Sequence, residues 1–132
     1  MAQLLAGPLQ PFKALADLTA GRFVKNGAVD SEGLLTCTTI AADTDFALGV
    51  PDDAFETDDT ALLAATPGDH VELEVRAAVA ANDWLMLDTT ATFEGTVKPA
   101  TTGKQVVARA LEAQPTATKK VRAKLMSPFF LP

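Results

Sequence analysis

The chain contains no tyrosine, one tryptophan (Trp84), one cysteine (Cys37), one histidine (His70) and only two serines (Ser31 and Ser127) in 132 residues. A single cysteine closes no internal disulfide, so the fold is expected to need none, as is usual in a reducing compartment. One histidine and two serines leave almost no material for a hydrolytic triad. His70 reads as a surface-turn residue just ahead of a strand. Cys37, inside an apolar run, reads as a small core side chain rather than a reactive thiolate. Aromatic residues make up 6% of the chain against 48% hydrophobic residues, so the core must be built from Ala, Val and Leu. Each such side chain buries little area at about 25 cal/mol per Å², and association with a partner would add burial that the monomer lacks.

Long apolar runs are also missing. Nothing approaches the roughly 20 residues of a membrane span, and the apolar start of the chain lacks the basic flank of a signal peptide. The net charge of −6 argues against a protein that neutralises phosphates. Neither a membrane nor a nucleic acid is therefore expected as a partner. Gly103-Lys104 has the wrong spacing from Gly95 for a phosphate-binding loop, and Gln105 stands where Ser or Thr would hold magnesium. The acidic group Asp52, Asp53, Asp58 and Asp59 lacks the glycine and ligand spacing of a calcium loop and reads as a solvated turn. No catalytic residue, cofactor or metal site is expected.

What is present is a chain of short strand patterns separated by turns. Pro8 and Pro11 make residues 1–11 an extended N-terminal arm that carries Leu4 and Leu5. Residues 12–18, 22–25, 34–40 and 46–50 read as strands, with Pro51 as a stop, and residues 61–65 as a short helix or a strand. Residues 71–76 alternate strictly, placing Val71, Leu73 and Val75 on one face and Glu72, Glu74 and Arg76 on the other. Trp84 opens the strand 84–87, where it reads as a packing residue in the core or at a subunit interface. Residues 95–98 follow as another strand. In residues 101–113 the Val106-Val107 pair and the stop at Pro115 favour a strand over 105–111, with Arg109 facing away from Val106, Ala108 and Ala110.

Alternation returns at residues 120–125, whose polar face is wholly basic. That face is expected to pair with the acidic face of Glu72 and Glu74 in one sheet. Ser127 to Pro132 hold Phe129, Phe130 and Leu131 between two prolines and read as a second apolar arm. Many short strands with turns every 8 to 12 residues indicate an all-β barrel or sandwich with arms at both ends and at most one short helix. The charges are segregated: residues 43–59 hold seven acids and no base, whereas residues 98–124 hold seven bases and one acid, Glu112. Such faces suit solvation, or neighbouring subunits that meet acid to base.

The succession of residues 18–25 (LTAGRFVK), 47–50 (ALGV), 79–86 (VAANDWLM) and 103–113 (GKQVVARALEA) resembles the capsid cement, or head decoration, proteins of tailed bacteriophages. The likeness runs over residues 12–126, with Asn82-Asp83 where the family commonly has Gly-Asp. It implies a β-rich domain over 12–126 between the arms 1–11 and 127–132, bound to the outer surface of a phage capsid. There it would clamp neighbouring major capsid protein subunits, usually as a homotrimer, without catalysis or cofactor. The candidate contacts are Leu4 and Leu5 of the first arm, the charged residues Glu72, Glu74, Arg109, Arg122 and Lys124, Trp84, and Phe129, Phe130 and Leu131 of the second. A non-catalytic ligand-binding barrel and a tail or fibre accessory protein are the alternatives.

Overall fold

The computed structural model describes residues 9–115 and 119–132. Among them are ten strands and no helix: β1 Gln10–Ala14, β2 Val24–Asn26, β3 Thr36–Thr39, β4 Val50–Pro51, β5 Thr60–Ala64, β6 His70–Glu74, β7 Trp84–Asp88, β8 Thr96–Pro99, β9 Gln105–Ala110 and β10 Lys120–Phe130. The all-β expectation holds. Two five-stranded sheets form, in the orders β2-β3-β1-β5-β4 and β6-β10-β9-β7-β8. Each curls until its edge strands meet, through the Val24–Gly49 bridge in the first and the Val75–Val97 bridge in the second. The result is two small barrels, each closed by a short bridge that shortens the open edges on which strands of other chains could pair.

The two barrels repeat one another, register for register, displaced by about 60 residues along the chain. Phe12 faces Ala61 in the first, and Leu73 faces Val121 in the second. Likewise Lys25–Thr38 matches Met86–Lys98, Val50–Ala64 matches Arg109–Lys124, and Val24–Gly49 matches Leu85–Ala108. The parallel contact occupies the same place in both, Ala14–Cys37 in one and Val75–Val97 in the other. Even the loop bridges agree, Leu18–Phe55 with Val79–Gln114. A four-residue turn recurs as well. Its third residue is left-handed (Gly21, Asp58, Gly68, Asn82, Gly103), a conformation that Gly, Asn and Asp tolerate. Its fourth amide donates to the first carbonyl, as in Asp69 to Thr66 at 3.1 Å and Asp83 to Ala80 at 3.2 Å. Where that fourth residue is Asp59 or Asp83, its carboxylate also accepts from the amide of Glu56 or Ala80, each at 2.9 Å.

Inside the first barrel lie Phe12, Ala14, Leu18, Val24, Cys37, Ala61 and Leu63. Inside the second lie their counterparts Leu73, Val75, Val79, Leu85, Val97, Val121 and Ala123. Phe23, Ile40, Val50 and Ala64 project from the first barrel into the cluster built around the second, so the junction is itself buried core.

One open alternative is settled and two expectations change. The segment 61–65 is strand, because Ala61 and Leu63 point inward while Leu62 stays outside, and five residues are too few for a self-supporting helix. Pro51 does not stop β4 but pairs opposite Leu63 on an edge where its missing N–H costs nothing. The C-terminal segment continues β10: after an irregularity between Leu125 and Phe129 that contains Pro128, Phe129 and Phe130 pair with Val106 and Gln105 of β9. At the other end Gln10 and Pro11 already belong to β1, while Leu4 and Leu5 lie outside the described residues.

Candidate interaction surfaces

On the second barrel the alternation of β6 and β10 sends Val71, Leu73, Val121 and Ala123 inward. Their polar neighbours face out in the register Lys120–Glu74, Arg122–Glu72 and Lys124–His70. The two strands are thus neighbours, as the opposite charges suggested. Glu74, however, is committed elsewhere: Arg22 of the first barrel grips it with two bonds, 2.9 Å and 3.2 Å. Arg122 and Lys124 remain exposed.

Lys124, Arg109 and Trp84 form a row across β10, β9 and β7. The Arg109 guanidinium lies 4.8 Å from the Trp84 ring centre, a cation–π distance, and its Nε donates to the Asn82 carbonyl at 3.3 Å. Phe129 meets Trp84 edge-on at 5.3 Å. Phe130 beside it is 70% exposed, and the Leu131 amide donates to the Lys104 carbonyl at 2.9 Å. Arg109 and Lys124 therefore stand directly opposite one another with no ion pair to a carboxylate among the described residues. Like charges in that position are mildly repulsive.

The equivalent row of the first barrel is Ala64, Val50 and Phe23, and it is fully covered by the second barrel. There the turn at residues 19–22 presses onto β6 and the loop that leads into β8. Phe23 donates to the Gly95 carbonyl at 2.8 Å, and Glu74 donates from its amide to the Gly21 carbonyl at 2.9 Å. Gly95 has φ +90°, and a Cβ there would sit 2.4 Å from the Phe23 carbonyl oxygen, so only glycine fits. The Arg22 guanidinium also donates to the Thr92 carbonyl at 2.9 Å and lies 5.5 Å from the Phe93 ring, over which Arg76 stacks at 3.7 Å.

The first barrel carries a groove of about 380 Å³, walled by residues 11–13 of β1, residues 33–35 and Thr60. Leu34 and Leu35 on its rim are 49% and 69% exposed. Lys13 reaches Asp30 at 2.8 Å and Asp58 at 4.0 Å. The Asp30 bond holds the lysine above its ordinary pKa, and the same bond holds Asp30 below its own. The surroundings are acidic: residues 1–66 contain ten acids and three bases, residues 67–132 seven acids and eight bases.

The remaining candidates do not converge. Cys37 is buried in the first barrel, where burial raises its thiol pKa, and His70 opens β6 in the other sheet. Among the described residues no group of His, Cys, Asp and Glu is placed to hold a metal ion. Sequence reasoning missed the groove. Leu34 and Leu35 look like the start of β3, and only their exposure, which depends on where the strand begins, marks them as surface.

No protein-family model matches this sequence, and no curated protein does. A solved structure does match. It is the N base of the head fiber protein gp8.5 of bacteriophage phi29, with a TM-score of 0.66 over 95% of this chain and 94% of that one, at 16% identity. The two chains share the fold nearly end to end.

Proposed function

We propose that this protein is a structural component of a phage virion, bound to the outer surface of the head as a homotrimer and stabilising it by clamping neighbouring major capsid protein subunits. The observation that carries the reading is the end-to-end fold correspondence with the base of a phage head fiber. The sequence likeness to capsid cement proteins points the same way. So do the apolar and basic residues held outward on β7, β9 and β10, which suit contact with protein rather than chemistry on a small molecule. Net negative charge suits a position outside the shell, away from DNA. A protein that binds only the assembled shell stabilises it by mass action and needs no catalytic group.

Phe129, Phe130 and Leu131, the row around Trp84, and residues 1–8 are the proposed contacts with the shell or between copies. Adding the purified protein to heads that lack it tests this. Co-sedimentation together with a higher head-disruption temperature is expected, and failure to co-sediment would overturn it. The match to a fiber base favours a second reading, an attachment base for a fibre or another accessory; binding without any gain in head stability would select it.

A further inference from the structure

We infer that copies of this chain associate head to tail, the Trp84 face of one copy's second barrel seating in the groove of the next copy's first barrel. The duplication carries the argument. Inside one chain, the turn at residues 19–22 and Phe23 of the first barrel dock on residues 72–74, residues 93–95 and Lys120 of the second; a Cβ on Gly21 would lie 3.2 Å from the Glu72 carbonyl and 3.5 Å from Lys120 Cε. The positions equivalent to that docking site are residues 11–13, residues 33–35 and Thr60, which are the walls of the open groove. The positions equivalent to the docking turn are residues 80–83, followed by Trp84. The contact made once inside the chain therefore leaves one unused copy of each half, and the two halves sit on different barrels.

The chemistry of the halves agrees. Arg22 pairs with Glu74 across the internal junction; the corresponding residues are Asp83 and Lys13, the same pair with its signs exchanged. Arg109 and Lys124, which lack a carboxylate, flank the incoming Trp84. The groove rim holds the exposed Glu32 and Asp58 beside Leu34 and Leu35. Apolar surface thus meets apolar surface and cation meets acid, a self-complementary heterologous contact that closes a ring if the rotation permits. One difference sets how the turn seats. Lys13 already donates its amide to the Leu35 carbonyl at 2.9 Å, whereas Glu74 gives its amide to Gly21, so the incoming turn lies over the groove and is held by side chains.

This inference rests on the self-association in the reading above and not on attachment to a head. Sedimentation equilibrium of the full chain tests it with Lys13→Glu, Asp83→Arg, the two together, and Leu35→Asp. Arg22 and Lys104 occupy the turn position of Asp83 in other repeats, so a cation there is compatible with the turn. The parent is expected to be oligomeric, each single charge reversal and Leu35→Asp to weaken association about tenfold or more, and the double reversal to restore it. A parent that stays monomeric, single reversals that keep the parent mass, or a double reversal that stays dissociated would overturn the inference. A charge-sensitive oligomer that never binds heads would overturn the attachment reading alone, and a head-binding oligomer indifferent to the reversals would overturn this inference alone.

Discussion

The two barrels share one ladder and fill it differently. Ala14, Cys37 and Ala61 of the first stand where the second has Val75, Val97 and Val121, while Phe12 and Leu63 of the first stand against Leu73 and Ala123. A large residue on one strand is offset by a small one opposite it, so what recurs is the inward alternation and not residue identity. The strands differ in length too. β2 and β4 have three and two residues, whereas β7 and β9 have five and six. The first barrel completes its enclosure by burying Phe23, Ile40, Val50 and Ala64 against its neighbour. It leans on the second, and the junction is the part both depend on.

Breaking the junction should have the largest effect. Gly95→Val would drive a side chain into the Phe23 backbone at an already left-handed position; a loss of about 4 kcal/mol or more, or failure to fold, is expected in urea unfolding. Gly33→Val, also at positive φ but in open space, should cost only about 1–2 kcal/mol. The equivalent core positions come next. Leu85→Ala should cost about 2–5 kcal/mol and Val24→Ala about 1.5–2 kcal/mol by the same measurement, since fewer buried methylenes are lost.

Arg22→Ala should follow, with a loss of about 1.5–3 kcal/mol, because it removes a two-bond, half-buried contact to Glu74. Amide exchange in β2 and β4 should quicken more than in β9 and β10, which would separate loosening of the first barrel from global destabilisation.

The smallest effect concerns acid. Bonds from the backbone amide and hydroxyl of Thr57 hold Asp17 below its ordinary pKa, and Lys13 does so for Asp30. For Asp45 and Asp88 burial pushes the pKa up, but the amides of Ala41 and Ala42, with Lys25, outweigh it at Asp45, and the Thr90 hydroxyl and amide outweigh it at Asp88. A depressed folded pKa gives stability that is present above the unfolded value of about 3.9 and lost as pH falls through the folded one. Three of these four groups lie in the first barrel. Protection factors, which divide out the intrinsic slowing of amide exchange by acid, should fall there first between pH 5 and pH 2; simultaneous loosening of both barrels would contradict the asymmetry.

Much of this was legible in the sequence. The alternation of residues 71–75 and 120–125 gave both faces and even their partnership, because strict alternation and opposite charge act over the few ångströms between neighbouring strands. Residues 105–111 read correctly as strand on the strength of Val106 and Val107. The duplication did not show itself: Gly21-Arg22-Phe23 and Asn82-Asp83-Trp84 share only the left-handed turn and a following aromatic, and three residue types can serve such a turn. The tail was missed for another reason. Pro128 argues against a strand locally, but the long-range partner β9 accommodates it at an irregularity. The row of Trp84, Arg109 and Lys124 is assembled from three strands, so no spacing along the chain could announce it.

The proposed structural role on the outside of a phage head is tested most sharply by cryo-electron microscopy of phage heads that lack this protein, imaged before and after it is added. Added density is expected on the outer surface, bridging capsid subunits and accommodating paired β-barrels arranged head to tail. Identical maps with saturating protein present, or added density only at a tail or inside the shell, would contradict it.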